Sequence, residues 1–115
     1  MFEVVEHAPT IRLAGELDLA SVPVVADVLQ GLVGAGGYVT LDLERLTFCD
    51  STGIALLLRA GRALNGRGGL ILRHCRGEVR RLLQLSLPDG APGMTGDWIE
   101  EPRFPRPGDD AADLA

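Results

Sequence analysis

A strand-to-helix junction is the sequence feature that most constrains how this chain can fold. A run with the character of a buried strand begins at Val39 and stops at the polar group Asp50-Ser51-Thr52-Gly53, and an apolar run with helical spacing follows it. The first run predicts a buried strand and the second a helix that begins at Ser51. Unpaired N–H groups and the helix dipole favour an anionic group at such an end, so Ser51 is a candidate phosphorylation switch.

The rest of the chain predicts an α/β domain with a mixed sheet of four or five strands and helices packed against it. Each strand-helix-strand connection makes its two strands parallel, whereas the tight turn at Pro9 joins two antiparallel strands. Ser21 is expected to cap the first helix, with Pro23 in its first turn. The predicted strands cover residues 2–6, 10–15, 38–43 and 70–73. Three helices are predicted: the first starts at Ser21, and the other two cover residues 51–65 and 76–87.

Length and composition indicate one domain followed by a different kind of segment. The 115 residues are 46% hydrophobic, which is enough for a single core, and residues 1–87 are expected to form it. Five of the seven prolines fall in residues 88–115, where periodic apolar positions are few. We expect an irregular extension at 88–101, which can add an edge strand at 94–100 anchored by Trp98, and a disordered acidic tail at 102–115.

The charge distribution argues against nucleic-acid binding. Residues 1–87 carry nine acidic residues and nine arginines, so the net charge of −5 belongs to the last 28 residues. No basic patch with interleaved aromatic residues is present. The sequence also lacks an apolar run of about 18 residues and a signal-like N-terminus, so we expect a cytoplasmic protein without membrane contact.

The cysteines and histidines do not indicate a metal or cofactor site. Cys49 and Cys75 lack zinc-type spacing and are expected to be buried thiols in a reducing compartment, although a regulatory disulfide between them stays open. His7 and His74 are isolated in the sequence and are interpreted as solvated or hydrogen-bonded residues. We predict no metal and no cofactor.

Three segments together resemble the STAS domain of anti-sigma factor antagonists, over about residues 2–87. These segments are residues 15–21 (GELDLAS), 41–54 (LDLERLTFCDSTGI) and 78–83 (EVRRLL). The resemblance implies that Ser51 is phosphorylated by a partner anti-sigma factor that is itself a serine kinase, and that a serine phosphatase reverses this. Only the unphosphorylated form would bind the kinase and so release the sigma factor for transcription.

The resemblance also implies which residues bind the partner: Asp18, Asp50, Ser51, Thr52 and Gly53. Thr52 is the alternative phosphorylation site, because relatives in stress-signalling scaffolds can carry a phosphorylated threonine there. The family usually continues with another strand and an amphipathic helix, which the Pro-rich tail does not easily supply. Structural alternatives exist for each residue: Ser51 or Asp50 can simply cap the helix, Asp18 can be a turn residue, and Gly53 and Gly61 can serve helix–sheet packing.

Catalysis by this chain is not expected. The sequence has neither a Gly-x-Ser-x-Gly nucleophile motif nor a Gly-rich phosphate-binding loop ending in Lys-Ser/Thr. Two other functions remain open beside the anti-sigma factor antagonist. One is a STAS accessory subunit of a membrane transporter complex, and the other is a constitutive scaffold module in which Ser51 is only a cap.

Overall fold

The computed structural model describes residues 2–7 and 10–99, and it confirms the predicted α/β class. The elements in chain order are β1 (Glu3–His7), β2 (Thr10–Leu17), α1 (Val22–Ala35), β3 (Gly37–Cys49), α2 (Ser51–Leu64), β4 (Gly68–Arg73), α3 (Gly77–Ser86) and β5 (Met94–Gly96). The tail predicted for 102–115 lies outside the described residues. Within the described ranges no helix is long and apolar enough to cross a membrane.

The five strands form one mixed sheet in the order β1-β2-β3-β4-β5. β1 pairs antiparallel with β2, and every other neighbouring pair is parallel. This arrangement follows from the connections, because only two residues separate β1 from β2 while helices join the later strands. The carboxyl ends of β2 to β5 therefore share one edge of the sheet, and the Ser51 junction lies at that edge.

β3 is longer than the sequence indicated. The predicted strand ended at residue 43, but β3 continues to Cys49. Its second half keeps pairing with β2, through two register shifts, whereas β4 pairs with β3 only as far as Asp42. α3 packs against β3 and is anchored by the buried side chains of Val79 and Leu83. Glu44, Arg45 and Thr47 are exposed polar residues in this second half of β3. Because they interrupt the apolar pattern, the sequence did not indicate that the strand continues.

One hydrophobic core joins the sheet to the three helices. Alternate residues of the strands point into it, as expected for a sheet with one covered face. α1 contributes Val25 and Leu29, and α2 contributes a wide apolar stripe. The fully buried strand residues include Ile11, Leu13, Leu17, Leu41, Leu70 and Leu72.

Residues 88–99 pack on this core. β5 adds an edge strand to β4, and Trp98 is completely buried, so both features expected of this segment are present. The indole N–H of Trp98 donates to the Leu87 carbonyl at 2.6 Å. The Asp97 carboxylate accepts the backbone N–H groups of His74 (2.6 Å) and Cys75 (3.1 Å). These bonds fix the turn after β4, where His74 has a positive φ of 58°.

Both cysteines are buried free thiols, as predicted. The register places Arg73 opposite Asp42, so Cys75 is about level with residue 44 of β3, five residues before Cys49. At about 3.3 Å per residue the separation along the strand is roughly 16 Å, far beyond the ~7 Å that a disulfide allows between Cα atoms. This separation argues against the regulatory disulfide that the sequence left open.

Candidate functional site

Asp50 caps the helix that begins at Ser51. Its backbone is extended, and its Oδ1 accepts the N–H groups of Thr52 (2.9 Å) and Gly53 (3.2 Å). The Thr52 hydroxyl donates to the same oxygen. Two of the N–H groups that a helix end leaves unpaired are thus satisfied by one carboxylate. Of the two alternatives for the cap, the structure selects Asp50.

Ser51 is the first residue of α2, and it is exposed. Among the described residues its hydroxyl has no hydrogen-bond partner, whereas the neighbouring Thr52 is half-buried and its hydroxyl is bonded to Asp50. Because Asp50 already caps the helix, the Ser51 hydroxyl is not needed for the fold. Of the two hydroxyls predicted as phosphorylation sites, Ser51 is the more accessible.

The carboxylate beside Ser51 is ionised at neutral pH. The hydrogen bond from the Thr52 hydroxyl is the largest effect and lowers the pKa of Asp50. Desolvation opposes it, and the backbone N–H groups of Gly53 and Thr52 lower the pKa further. Behind it, burial raises the pKa of Cys49 to about 12, and the charge of Asp50 adds to this shift. The site therefore presents a fixed negative charge and an unreactive thiol.

Asp18 lies in the turn between β2 and α1, at the same edge of the sheet. Its Oδ1 accepts the N–H groups of Ala20 (3.0 Å) and Ser21 (3.2 Å), which supports the turn interpretation. The preceding residue, Leu17, accepts the N–H of Asp50 at 3.1 Å. The two acidic segments that the resemblance groups together are therefore adjacent in the fold, although the Asp18 carboxylate bonds within its own turn.

The prediction that the side chain of Ser21 caps α1 is wrong. Ser21 occupies the N-cap position, but its hydroxyl makes no cap bond. The hydroxyl instead donates to the Glu16 carbonyl at 2.6 Å and accepts the N–H of Asp18 at 3.0 Å. Ser21 is buried under the turn, and its bonds to Glu16 and Asp18 satisfy the hydrogen-bonding capacity of the buried hydroxyl.

Gly53 is buried, and it permits close packing of α2 on the sheet. A Cβ atom at this position would lie 2.7 Å from the Cys49 sulfur and 2.9 Å from Leu17 Cγ. Gly61, two turns later, would place a Cβ atom 3.0 Å from the Pro92 carbonyl oxygen. Both glycines thus serve helix–sheet packing, the structural alternative that the sequence offered for them.

A groove of about 440 Å³ lies beside this site, and the sequence did not reveal it. Its lining residues are Phe2, Gly15, Glu16, Asp18, Ala20, Ser21, Val24 and Thr47. One lining residue, Val24, is an exposed apolar side chain. The apolar side chains of Leu19, in the Asp18 turn, and of Phe48, whose strand partner is Glu16, are exposed as well. Leu19 and Phe48 are apolar, so in the sequence they resemble core residues. The only sequence signal of their exposure is that each lies close to a turn segment.

A second polar cluster lies on β3 and after β4. Ligand-type atoms of Asp42, Glu44 and His74 lie within 4.8 Å of one another. His74 Nδ1 is 3.0 Å from the Asp42 carboxylate, so His74 is hydrogen-bonded as predicted. Arg12 lies 3.7 Å from Asp42, and Arg76 lies 3.6 Å from Glu44. Since each carboxylate already has an arginine, we assign no metal to this cluster.

Comparisons with known proteins found a matching family model and a curated relative. A family model described as "Mlab, STAS domain" matches residues 1–92. The anti-sigma-B factor antagonist of Bacillus subtilis (strain 168) is 27% identical over 82 residues, which are 70% of this chain and 75% of that protein.

Two solved structures show the same fold. The anti-sigma factor antagonist SpoIIAA in its unphosphorylated form has a TM-score of 0.58 at 24% identity, with 99% of this chain and 96% of that chain covered. An anti-sigma factor antagonist from Mycobacterium paratuberculosis has a TM-score of 0.67 at 20% identity, with 99% and 92% covered.

Proposed function

This chain belongs to the STAS domain family, and from that premise we propose that it is an anti-sigma factor antagonist controlled by phosphorylation of Ser51. In its unphosphorylated form it binds an anti-sigma factor that is a serine kinase, and it thereby releases a sigma factor for transcription. A serine phosphatase acting on phosphorylated Ser51 restores the binding form. The chain itself is a binding protein and a kinase substrate, not an enzyme.

The exposed Ser51 hydroxyl at the end of α2 is the observation that carries this proposal. It is accessible, and the cap beside it is supplied by Asp50. A kinase can transfer the γ-phosphoryl group of ATP to the Ser51 oxygen, releasing ADP and the hydroxyl proton, without breaking a bond of the fold. The similarity to the Bacillus subtilis anti-sigma-B factor antagonist supports the same function.

The charge at this edge explains how one phosphate abolishes binding. A phosphoserine carries about −1.5 to −2 charges at pH 7. At the N-terminus of α2 this charge is tolerated within the chain, because the helix dipole favours it. With Asp50 and the Asp18 turn it forms a strongly anionic edge, which raises the repulsion and desolvation costs of any interface that closes over it.

Intact-mass analysis after incubation with ATP and a candidate anti-sigma factor kinase tests the proposal. We expect one added phosphate on the wild-type chain and none on Ser51→Ala. Thr52→Val is the matched control, because it removes the other hydroxyl of the junction and should still accept the phosphate. Phosphate that persists in Ser51→Ala and disappears in Thr52→Val would move the site to Thr52. Unchanged kinase affinity after phosphorylation would exclude the switch.

A second candidate function is the accessory subunit of a membrane transporter complex. The matching family model is described only as "Mlab, STAS domain", and this description names no anti-sigma factor antagonist. In that function Ser51 needs no phosphate, and the domain supports assembly of the complex. Co-purification separates the two: a transporter ATPase as the bound protein favours the subunit, and a protein kinase favours the antagonist.

A further inference from the structure

We propose that the face of the sheet opposite the helices is the contact surface of a weak homodimer. Two copies of this chain stack face to face on it, with the strands of one copy antiparallel to those of the other. This inference goes beyond the proposed function and does not depend on it, because the face contains neither Ser51 nor the Asp18 turn.

One face of the sheet carries no helix in the described part of the chain. α1, α2 and α3 each connect two neighbouring parallel strands, and the chain steps across the sheet in one direction from β2 to β5. Such crossovers are right-handed, so all three helices lie on the same side of the sheet. In β3 the buried residues Val39, Leu41 and Leu43 point to that side. The alternate residues point away from it and form the open face.

The strand register joins the residues of the open face into three rows. The aromatic row is Tyr38 of β3 beside Gly69 of β4. The middle row crosses four strands and consists of Thr10, Thr40, Ile71 and Thr95. The charged row consists of Arg12, Asp42 and Arg73. The open face is therefore aromatic at one end, uncharged across its middle and charged at the other end.

Tyr38 and Arg73, at opposite ends of this face, are both available to a partner. The Tyr38 ring lies against the backbone of Gly69, where a Cβ atom would be 3.6 Å from Tyr38 Cε1, and Tyr38 is nevertheless 67% exposed. Arg73 is exposed and forms no ion pair with any described residue. Its neighbour Asp42 lies 3.7 Å from Arg12 and 3.0 Å from His74 instead. An exposed ring and an unpaired guanidinium attract each other by a cation–π interaction.

The open face is complementary to itself, which points to a second copy as its occupant. A two-fold axis that runs across the strands at the middle row places the aromatic row of each copy over the charged row of the other. Arg73 then lies over the Tyr38 ring of the second copy, and Thr40 and Ile71 each face their own counterpart. Stacking with parallel strands would instead place the charged row over itself, so that arginines meet arginines.

The size and charge of the face set the strength of this dimer. Five strands about 4.8 Å apart and the six residues of β4 give a face of about 19 Å by 20 Å, or roughly 400 Å² per copy. Standard complexes bury about 800 Å² per partner, and smaller interfaces are typical of transient contacts. Residues 1–87 carry nine acidic residues and nine arginines, so the bodies of two copies do not repel each other. We therefore expect association that depends on concentration.

Sedimentation velocity of the full chain over a hundredfold range of concentration tests the inference. We expect the wild type to shift from monomer toward dimer as its concentration rises. Thr40→Glu and Thr40→Arg should each weaken this association at least tenfold, because like charges then meet at the two-fold axis. An equimolar mixture of these two variants should associate at least as tightly as the wild type, because opposite charges then meet. Gln30→Glu is the matched control, since it adds the same charge on the exposed side of α1 and should change the association less than twofold.

Tyr38→Ser is the second variant, because Tyr38 is exposed and its loss leaves the core intact; it should also weaken the dimer. Thermal unfolding shows that each variant is folded. Wild-type association in both Thr40→Glu and Tyr38→Ser would overturn the open face as the interface, and a mixture of the Thr40 variants that stays monomeric would overturn the two-fold arrangement. A wild type that is monomeric throughout the range would overturn the dimer. If such a monomer dimerised after removal of residues 100–115, the occupant of the face would be the C-terminal segment and not a second copy.

Discussion

At the scale of single residues, Asp50 and Ser51 have separate roles at the strand-to-helix junction. Asp50 bonds the end of α2, and Ser51 presents a free hydroxyl on the surface. Because the carboxylate of Asp50 does the capping, Ser51 can change its charge while the helix end stays bonded.

Unfolding of Asp50→Ala tests this division. At pH 7 we expect its melting temperature to fall by a few degrees, because two N–H groups and the Thr52 hydroxyl lose their acceptor, while Ser51→Ala should melt like the wild type. The pKa of Asp50 is lower in the folded chain than its ordinary value of 3.8. Its stabilisation is therefore present above that value and is lost as the pH falls through the lower folded pKa.

The pH dependence gives the check on this prediction. The difference in melting temperature between the wild type and Asp50→Ala should be constant from pH 7 to about 5 and should narrow as the pH approaches 2. Melting curves followed by circular dichroism measure it. A difference that does not change with pH would show that the charge of Asp50 adds nothing to its cap.

At the scale of elements, the position of α2 depends on a missing side chain. The helix approaches the ends of β2 and β3 so closely that a Cβ atom at Gly53 would meet the Cys49 sulfur at 2.7 Å. The two residues that this Cβ atom would contact, Cys49 and Leu17, are both buried, so neither side chain can move into solvent. The location of the Ser51 hydroxyl relative to the Asp18 turn is therefore set by this contact.

Gly53→Ala should destabilise the fold by about 1–3 kcal/mol, which is typical of overpacking a core. Gly31→Ala is the matched control, because Gly31 lies within α1 and a Cβ atom there has no neighbour within 4 Å. That change should stabilise the chain by about 0.5–1 kcal/mol through helix propensity. Urea unfolding of both variants measures the two effects, and equal changes would refute the packing role of Gly53.

At the scale of the whole molecule, residues 88–99 complete the domain. Trp98 fills the core, and Asp97 holds the turn after β4 through two backbone N–H groups. Hydrogen bonds to His74 and Cys75 and the charge of Arg80 outweigh the effect of burial, so the pKa of Asp97 lies below its ordinary value. The segment that composition marked as irregular is joined to the sheet by these contacts.

Two truncations test this conclusion. Removal of residues 88–115 deletes β5 and Trp98, and we expect the chain to lose cooperative unfolding. Removal of residues 103–115, which are Pro-rich and acidic, should shift the melting temperature little. Trp98→Ala in the full chain should cost about 3–5 kcal/mol, as large-to-small changes of buried aromatic residues do. Scanning calorimetry compares them, and a stable 1–87 fragment would contradict the prediction.

The sequence by itself determined the class of the fold and the place of the junction. Apolar periodicity and turn residues act locally, so the strand before Asp50, the helix from Ser51 and the anchor Trp98 could all be predicted. The tertiary structure alone decided which group caps α2, why Gly53 lacks a side chain, and how far β3 extends. These features depend on cross-strand register and on contacts between distant segments, such as Leu17 with Asp50. The exposure of Leu19 and Phe48 was decided in the same way, because burial depends on what packs above a residue and not on its type.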